Sequence, residues 1–237
     1  MRWVVPTSIG SLNNSLMWNR SAQRLSVGFQ QRPFLFNRGF SATAKKFFNS
    51  TWTHYTEALE KKPILTKSIT AGVLSFIADA ICQKGFGNTP NEGNKEDTKV
   101  KKELDFSRIG KFTFLGVALV GPLLHFWYGG LAIGIPGVNL VSTLKRLALD
   151  QLLFAPAFIA IFFTSALTLE GKSFNEIMTK LNNEWVHTVQ ANWSIWTPAQ
   201  FINFRFIDPK YQVLFSNCVG VVWNIYLSYA TYNKKEK

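Results

Sequence analysis

The sequence predicts an all-α fold in which four transmembrane helices form a bundle and an interfacial amphipathic helix precedes the last of them. Hydrophobic residues make up 47% of the 237 residues, charged residues only 17%, and the chain contains 21 Phe and 8 Trp. A soluble domain normally carries more charge than this. The mean hydropathy is nevertheless only +0.04, so the apolar residues must be concentrated in segments. The chain contains four such segments of transmembrane length.

Residues 1–40 are predicted to be a cleavable mitochondrial targeting segment. The chain has no acidic residue before Glu57, and its first 40 residues contain five arginines among many Ser and Asn residues, as mitochondrial transit peptides do. Arg38, Phe40 and Ser41 resemble a processing site of the matrix peptidase, with cleavage after Phe40. Removal of residues 1–40 takes away five arginines and no acidic residue, which lowers the formal net charge from +12 to +7. The alternative is a basic arm that stays attached to the protein.

Residues 41–65 are predicted to form an amphipathic segment on the matrix side of the membrane. Trp52, Tyr55 and Leu59 recur at intervals of three or four residues, which is the spacing of one helix face. Pro63 follows them and marks the boundary with the first transmembrane segment.

Four apolar segments are predicted to cross the bilayer and to form the membrane domain, residues 66–232. The hydrocarbon core is about 30 Å thick, and a helix needs roughly 20 mainly apolar residues to cross it. Glycine and proline residues inside the segments are predicted to kink the helices rather than to end them. The segments cover residues 66–86, 112–133, 147–169 and 211–232, with a polar loop at 88–105 and a basic tail at 233–237.

The basic residues predict that both ends of the mature chain face the matrix. Four crossings place the two ends on one side, together with the connection between the second and third segments. Lys145 and Arg146 lie in that connection and further lysines lie near both ends, whereas the other two connections are nearly balanced in charge. Connections rich in Lys and Arg remain on the inner side of a membrane.

A helix is predicted over residues 174–196, between the third and fourth segments. Its apolar residues recur with helical spacing, and Trp side chains favour the headgroup region of a bilayer. Ser173 and Glu176 form a capping-box sequence, which predicts that the helix begins there. We expect this helix to lie on the membrane or against the bundle. Its apolar positions are Phe174, Ile177, Met178, Leu181, Trp185, Val189, Trp193 and Trp196.

Seven polar side chains inside the transmembrane segments are the candidate functional residues. A carboxylate at bilayer depth costs a few kcal/mol, so such groups should face the bundle interior. They either line a narrow aqueous path, in which Asp79 and His125 set selectivity, or hydrogen-bond one helix to the next. For Asp150, at the edge of its segment, Lys145 and Arg146 are candidate ion-pair partners. The seven residues are Asp79, Gln83, His125, Asp150, Gln151, Asn217 and Asn224.

An ordered series of residues runs through the chain from Trp52 to Ser228. Its densest part contains aromatic residues and amides that we interpret as an anchor with amides closing backbone hydrogen bonds, with ligand binding as the alternative. The members of this part are Trp193, Trp196, Gln200, Asn203, Phe204 and Pro209, followed by Trp223 and Asn224.

In this order the residues resemble the Mpv-seventeen and twenty-two-kilodalton peroxisomal membrane protein family. Ala78, Thr197 and Gln212 stand where the family usually has glycine, proline and arginine. The resemblance implies a four-span protein of the mitochondrial inner membrane, or alternatively of the peroxisomal membrane. It also implies a channel-like activity linked to metabolite balance, stress response and mitochondrial DNA maintenance.

No pattern in the sequence is typical of an enzyme, a metal site or a nucleic-acid-binding motif. The positive charges are spread over the termini and connections, and Cys82 and Cys218 lie far apart in apolar segments, where thiols usually pack as small hydrophobic groups. We therefore expect no catalytic residue, cofactor, metal or nucleic-acid partner. The expected partners are the lipid bilayer and either further copies of the chain or a larger membrane complex. A solute channel or carrier and a structural protein without transport are the two functions that the sequence leaves open.

Overall fold

The structure is a computed structural model, which describes residues 42–86 and 104–235. Every regular element in these two ranges is a helix, and we number the helices α1 to α6 in chain order. Three predictions lie outside the described residues: the targeting segment at 1–40, its processing site at Arg38, Phe40 and Ser41, and most of the polar loop at 88–105.

The first two helices are separated by a single residue. α1 is Ala42–Lys61 and α2 is Pro63–Phe86. Pro63 occupies the first position of α2, where the N–H that it lacks would have had no partner within the helix. The hydroxyl of Thr66 donates to the carbonyl of Ala58 at 2.9 Å, so a side chain of α2 bonds to the last part of α1.

The next two helices each contain one wider turn. α3 is Phe106–Gly134 and α4 is Leu140–Leu169. A π-helical turn interrupts α3 at Gly116–Val120, and another interrupts α4 at Asp150–Phe154.

A proline follows shortly after each π-helical turn, at Pro122 and at Pro156. A proline ring inside an α-helix clashes with the carbonyl group four residues earlier, and a π turn shifts the hydrogen bonds to the fifth residue back. In α4 the N–H of Ala155 accordingly bonds to the carbonyl of Asp150. Neither proline ends its helix, as the sequence predicted.

Side chains and one glycine determine where α3 and α4 begin and end. Asp105 accepts a hydrogen bond from the N–H of Arg108 at 3.0 Å, and Asn139 accepts one from the N–H of Ser142 at 2.8 Å, which caps the two helix starts. Gly171 follows the end of α4 with a φ of +80°, a left-handed conformation that glycine adopts without a steric cost.

α3 and α4 begin earlier than the sequence predicted. The predicted transmembrane segments began near residues 112 and 147, whereas the helices begin at Phe106 and Leu140. The sequence prediction treated polar and basic residues as the edges of the apolar segments. Arg146 nevertheless lies inside α4 with only 2% of its surface exposed, because its guanidinium folds back onto the loop before the helix.

α5 is Phe174–Phe206 and is 33 residues long. The predicted capping box is confirmed, since Ser173 and Glu176 exchange side chain to backbone hydrogen bonds. The bond from the Ser173 backbone N–H is the main cause that lowers the pKa of the Glu176 carboxyl. The prediction that this helix ends near residue 196 is wrong. α5 continues through Pro198, because the turns that follow pack and hydrogen-bond inside the bundle.

α6 is Gln212–Lys235 and includes all but the first residue of the fourth predicted transmembrane segment. Three helices of the described chain are long and apolar enough to cross a membrane, namely α2 over Pro63–Gly85, α3 and α4. The apolar part found in α6, Gln212–Ile225, is shorter. The fourth crossing therefore stays a prediction.

α2 and α3 approach each other so closely that glycine is required at the contact. A Cβ atom on Gly121 would lie 2.4 Å from the Cα of Ser68, and one on Gly116 would lie 2.9 Å from the carbonyl oxygen of Ala71. Small residues that let two backbones approach are typical of helix contacts in membranes.

The helices close into a bundle around Tyr128 and Phe204. α2 packs against α3 and α6, α4 packs against α5, and α5 packs against α6. The rings of Tyr128 and Phe204 meet edge to face with their centroids 5.6 Å apart. The buried apolar cluster consists of Leu124, Tyr128, Leu131, Phe204 and Val213.

The outer faces of the apolar helices carry large hydrophobic side chains. On α2 these side chains recur at three or four residues and so form one face. A continuous apolar face of this kind is suited to lipid chains rather than to water. Its members are Leu65, Ile69, Val73, Phe76 and Ile77.

Candidate functional site

Polar side chains meet at three places between the helices. The central cluster lies where α3, α4, α5 and α6 come together, the Asp79 cluster joins α2 to the start of α3, and the Lys67–His125 pair joins α2 to the second half of α3. The central cluster consists of Trp127, Tyr128, Asp150, Gln151, Gln200, Asn203 and Ser216. The Asp79 cluster consists of Asp79, Gln83, Asp105 and Arg108.

Asp150 is the acceptor on which the central cluster converges. It lies in the π-helical turn of α4 and is 1% exposed. Its Oδ1 accepts a hydrogen bond from Trp127 Nε1 at 2.8 Å. Its Oδ2 accepts from Gln151 Nε2 at 2.7 Å and from Gln200 Nε2 at 3.0 Å. Because the donors belong to α3, α4 and α5, one carboxyl group joins three helices.

The directions of these hydrogen bonds suit an ionised Asp150. Gln200 donates to Asp150 through its amide nitrogen and accepts from Asn203 Nδ2 through its oxygen at 2.8 Å. Gln151 also donates to Asp150, and its oxygen accepts from Thr197 Oγ1 at 3.3 Å. A protonated carboxyl would need an acceptor, whereas its hydrogen-bond partners in the described chain are all donors. Neutral N–H groups thus compensate a buried negative charge.

Tyr128 and Ser216 extend the central cluster to α6. Tyr128 Oη accepts from Gln200 Nε2 at 2.8 Å and lies 2.9 Å from Ser216 Oγ. Asn203 Nδ2 donates to the same Ser216 oxygen at 3.1 Å. The amide of Gln212 donates to the backbone carbonyl of Asn203 at 3.3 Å. Side chains from four helices therefore share one hydrogen-bond network.

The π-helical turn of α4 and the tryptophans of α5 fit together. Pro156 has no N–H, so the carbonyl of Gln151 lacks the donor that a continued π register would supply. Trp193 Nε1 donates to that carbonyl at 2.8 Å. Trp185 Nε1 donates to the carbonyl of Pro156 at 2.9 Å. The amphipathic helix is thus bonded directly to the bundle through its indole groups.

Asp150 does not form the ion pair that the sequence offered with Lys145 or Arg146. Arg146 turns the other way, and its Nη2 donates to the carbonyl of Ile135 at 2.7 Å. The prediction placed Asp150 at the edge of a transmembrane segment. Because α4 begins at Leu140, Asp150 lies well inside the helix and faces α3 and α5 instead.

The Asp79 cluster holds α2 against the start of α3. Asp79 accepts from Gln83 Nε2 at 2.8 Å and forms an ion pair with Arg108 Nε at 3.1 Å. Gln83 also accepts from the backbone N–H of Asp105 at 2.7 Å and donates to its carbonyl at 3.3 Å. The charge of Asp79 is therefore compensated by a cation that is 36% exposed.

The Lys67–His125 pair lies one turn beyond the close contact of α2 and α3. Lys67 Nζ is 3.3 Å from His125 Nδ1. Both residues are only 8% exposed. The pair thus consists of a buried amine and a buried imidazole from two helices of transmembrane length.

The remaining predicted residues are more scattered. Phe204 is part of the apolar core, and Pro209 lies in the turn between α5 and α6. The Nδ2 atom of Asn217 is buried and has no hydrogen-bond partner among the described residues. Trp196 and Trp223 are half-buried, and Asn224 is exposed on α6.

Lys67, Arg108 and Ser216 are among the cluster members that the sequence analysis did not single out. Lys67 and Arg108 stand near the ends of apolar segments, where basic residues usually reach the headgroups. One signal favours Lys67 as an inward residue, because small residues adjoin it at Ser68 and, one turn later, at Ala71. Such residues mark the face on which another helix packs.

The fold and these clusters define a class of protein. An all-helical chain with three helices of membrane length, apolar outer faces and polar groups paired between the helices is a helical membrane protein. The chain belongs to the Mpv17 / PMP22 family, because relatives that are 34% and 37% identical match it over 74% and 78% of its length and the family pattern matches residues 167–228. The family resemblance seen in the sequence is thereby confirmed.

Similar proteins extend the match over most of the chain. Peroxisomal membrane protein 2 of Bos taurus is 34% identical over 176 residues, which are 74% of this chain and 87% of that protein. PXMP2/4 family protein 3 of Dictyostelium discoideum is 37% identical over 188 residues, 78% of this chain and 92% of that protein. Protein SYM1 of Saccharomyces cerevisiae is 30% identical over 188 residues, 77% and 91% of the two chains. No solved structure matches the chain.

Proposed function

We propose that this protein resides in the mitochondrial inner membrane and provides small solutes with a non-enzymatic path across it. The observation that carries the proposal is that Lys67, Asp79 and His125, which lie in α2 and α3, are each only 8% exposed within the bundle. Through such a path the protein would support metabolite balance, stress response and mitochondrial DNA maintenance.

The free-energy cost of burying these side chains supports a role beyond packing. An ionisable group among transmembrane helices costs a few kcal/mol and is usually found where it pairs or meets water. Polar groups that line a narrow passage are a common basis of selectivity in channels. Lys67, His125 and Asp79 are therefore the side chains that we assign to the path.

The central cluster has a different role in this proposal. Asp150 is 1% exposed and its partners are neutral donors, which suits the cluster to holding α3, α4, α5 and α6 together. Asp79 differs, because its partner Arg108 has a side chain that is 36% exposed. We therefore assign Asp150 and Gln151 to the support of the bundle rather than to the path.

A structural protein without transport is the second candidate function. The mutual hydrogen bonding of the central cluster favours it, because a bundle fixed by such a network can serve as a rigid unit for further copies of the chain or a larger membrane complex. Absence of solute flux in the experiment below would select this function.

Reconstitution of the protein cut at Ser41 into liposomes and planar bilayers tests the two candidates. We expect a conductance and solute flux with the wild-type chain, a changed flux with Asp79→Asn, and an unchanged flux with Glu184→Gln, a matched control on the exposed face of α5. No conductance with correctly folded protein, or the same flux in all three chains, contradicts the proposed path.

The proposed location rests on the acid-free, arginine-containing segment before Glu57. The name of the Bos taurus relative favours the peroxisomal membrane as the alternative. Imaging of the full chain and of residues 41–237 separates the two. We expect mitochondrial signal only with the full chain, whereas mitochondrial signal without residues 1–40, or peroxisomal signal with the full chain, contradicts the targeting assignment.

A further inference from the structure

Lys67 differs from the other buried charges in what surrounds it. The hydrogen bond of its Nζ is with His125 Nδ1 at 3.3 Å. Asp208 acts on its charge through space, but no carboxylate of the described chain lies within salt-bridge distance of it. A buried charge without a close counter-charge is costly.

The bond to His125 leaves the positive charge in place. The ammonium group has three donors and no acceptor, so His125 Nδ1 is the acceptor and the imidazole is neutral in this pair. A neutral imidazole accepts a hydrogen bond but supplies no opposite charge. Two donors of Lys67 and its net charge are therefore available to a ligand.

We infer that the Lys67–His125 pair binds an anionic oxygen group, the phosphate or carboxylate of a small solute or of a lipid headgroup. An ammonium ion is a common partner of phosphate and carboxylate oxygens. As a statement about what the path carries, this inference rests on the proposed function. As a statement about binding, it stands on the two side chains alone.

The charges near the start of α2 favour the approach of an anion. Lys61 and Lys62 precede α2 and are exposed. Two of the acids nearby are paired, since Glu57 lies 3.9 Å from Lys61 and Glu60 lies 3.9 Å from Lys210, whereas Asp208 forms no ion pair among the described residues. Lys62, which forms no ion pair in the described chain, leaves a positive charge at this entrance, and such a charge raises the local concentration of anions.

Thermal unfolding of the full chain in neutral detergent tests the binding, with inorganic phosphate as the probe and chloride at equal ionic strength as the control. A ligand that binds only the folded chain raises the Tm, and the stabilisation grows with the logarithm of one plus the ratio of ligand concentration to Kd. We expect a larger rise with phosphate than with chloride for the wild type and for Lys67→Arg. For Lys67→Met we expect at least about tenfold weaker binding, because hydrogen bonds to charged groups contribute that much to affinity. Lys180→Met, on the exposed face of α5, should behave as the wild type.

A parallel measurement in vesicles identifies the source of the anion. Stabilisation of the wild type over Lys67→Met in phosphatidylglycerol vesicles but not in phosphatidylcholine vesicles, without an effect of inorganic phosphate, supports a lipid headgroup. A phosphate effect in both kinds of vesicle supports a soluble solute. If Lys67→Met does not fold, the wild type, Lys67→Arg and Lys180→Met are used instead. A Tm that responds equally to phosphate and to chloride in these folded chains overturns the inference.

The two proposals fail separately. Lys67-dependent binding without solute flux removes the proposed path and keeps the anion site. Solute flux together with identical phosphate responses of the wild type and Lys67→Met removes the anion site and keeps the path.

Discussion

The central cluster and the Lys67–His125 pair differ in how far the protein compensates a buried charge. Asp150 receives three hydrogen bonds from neutral donors on three helices. Lys67 has one neutral acceptor. The first charge is compensated within the protein, whereas the second has donors that are available to something else. Buried polar groups in one membrane protein can thus serve cohesion in one place and binding in another.

The largest expected effect follows from removing the acceptor of the central cluster. Asp150→Leu leaves the N–H groups of Trp127, Gln151 and Gln200 without their partner, and each unsatisfied buried donor costs about 1–3 kcal/mol. We expect a loss of at least about 3 kcal/mol in unfolding free energy, since breaking a buried polar network is among the most damaging substitutions. Denaturant unfolding in detergent measures it.

Lys67→Met provides the contrast for that measurement. Because Lys67 is not compensated by an acid at hydrogen-bond distance, its replacement by an apolar side chain should cost much less stability than Asp150→Leu. If Lys67→Met is less stable than Asp150→Leu, the assignment of the central cluster to stability and of the Lys67–His125 pair to binding is contradicted.

A substitution at the close contact of α2 and α3, which adjoins the Lys67–His125 pair, should destabilise the bundle. Gly121→Val places side-chain atoms where a Cβ alone would already lie 2.4 Å from Ser68, and overpacking of this kind costs about 1–3 kcal/mol. Gly130→Val is the matched control, since a Cβ at Gly130 meets nothing within 4 Å. Thermal unfolding should show a lower Tm for Gly121→Val only. Equal losses in both variants would show that the close contact is not required.

A smaller effect is expected where α5 bonds to the π-helical turn of α4. Trp193→Phe removes the N–H that pairs with the carbonyl of Gln151, and one hydrogen bond contributes about 1 kcal/mol. Trp196→Phe is the control, because no hydrogen bond of Trp196 occurs in the described chain. Equal unfolding free energies of the two variants, or a greater loss for Trp196→Phe, would argue against a stabilising role for the Trp193 indole.

Much of the helical organisation follows from local chemistry and was predictable. Apolar length predicted the three long helices, and Ser173 with Glu176 predicted the start of α5. The end of α5 was not predictable in the same way. Gln200 and Asn203 are stabilised there by Asp150 and Ser216, which are distant in the sequence.

The composition of the clusters was only partly predictable. Helical spacing places Asp79 and Gln83 on one face, and the cost of burial turns Asp150 inward. The sequence does not state which helices meet, so it offered Arg146 as the partner of Asp150 and passed over Lys67. The π-helical turns also depend on how the chain accommodates Pro122 and Pro156, which spacing alone does not show.

The smallest expected effect lies far from both regions and provides a baseline. The hydrogen bonds from Ser173 lower the pKa of Glu176 below its ordinary value of 4.5, so the stabilisation is present above that pH and is lost as the pH falls through the lower folded pKa. Hydrogen exchange should show the first turn of α5 opening more readily in acid. Glu176→Gln should remove this pH dependence of hydrogen exchange. If the pH dependence persists in the variant, another titratable group causes it.

The most direct test of the central claim is the anion-to-cation permeability ratio of the reconstituted protein, measured as a reversal potential in a salt gradient. The account predicts that Lys67→Met lowers the relative permeability to anions, that Lys67→Arg retains it, and that both remain folded. An unchanged reversal potential in folded Lys67→Met would contradict the claim that this pair, rather than the central cluster, faces the solute.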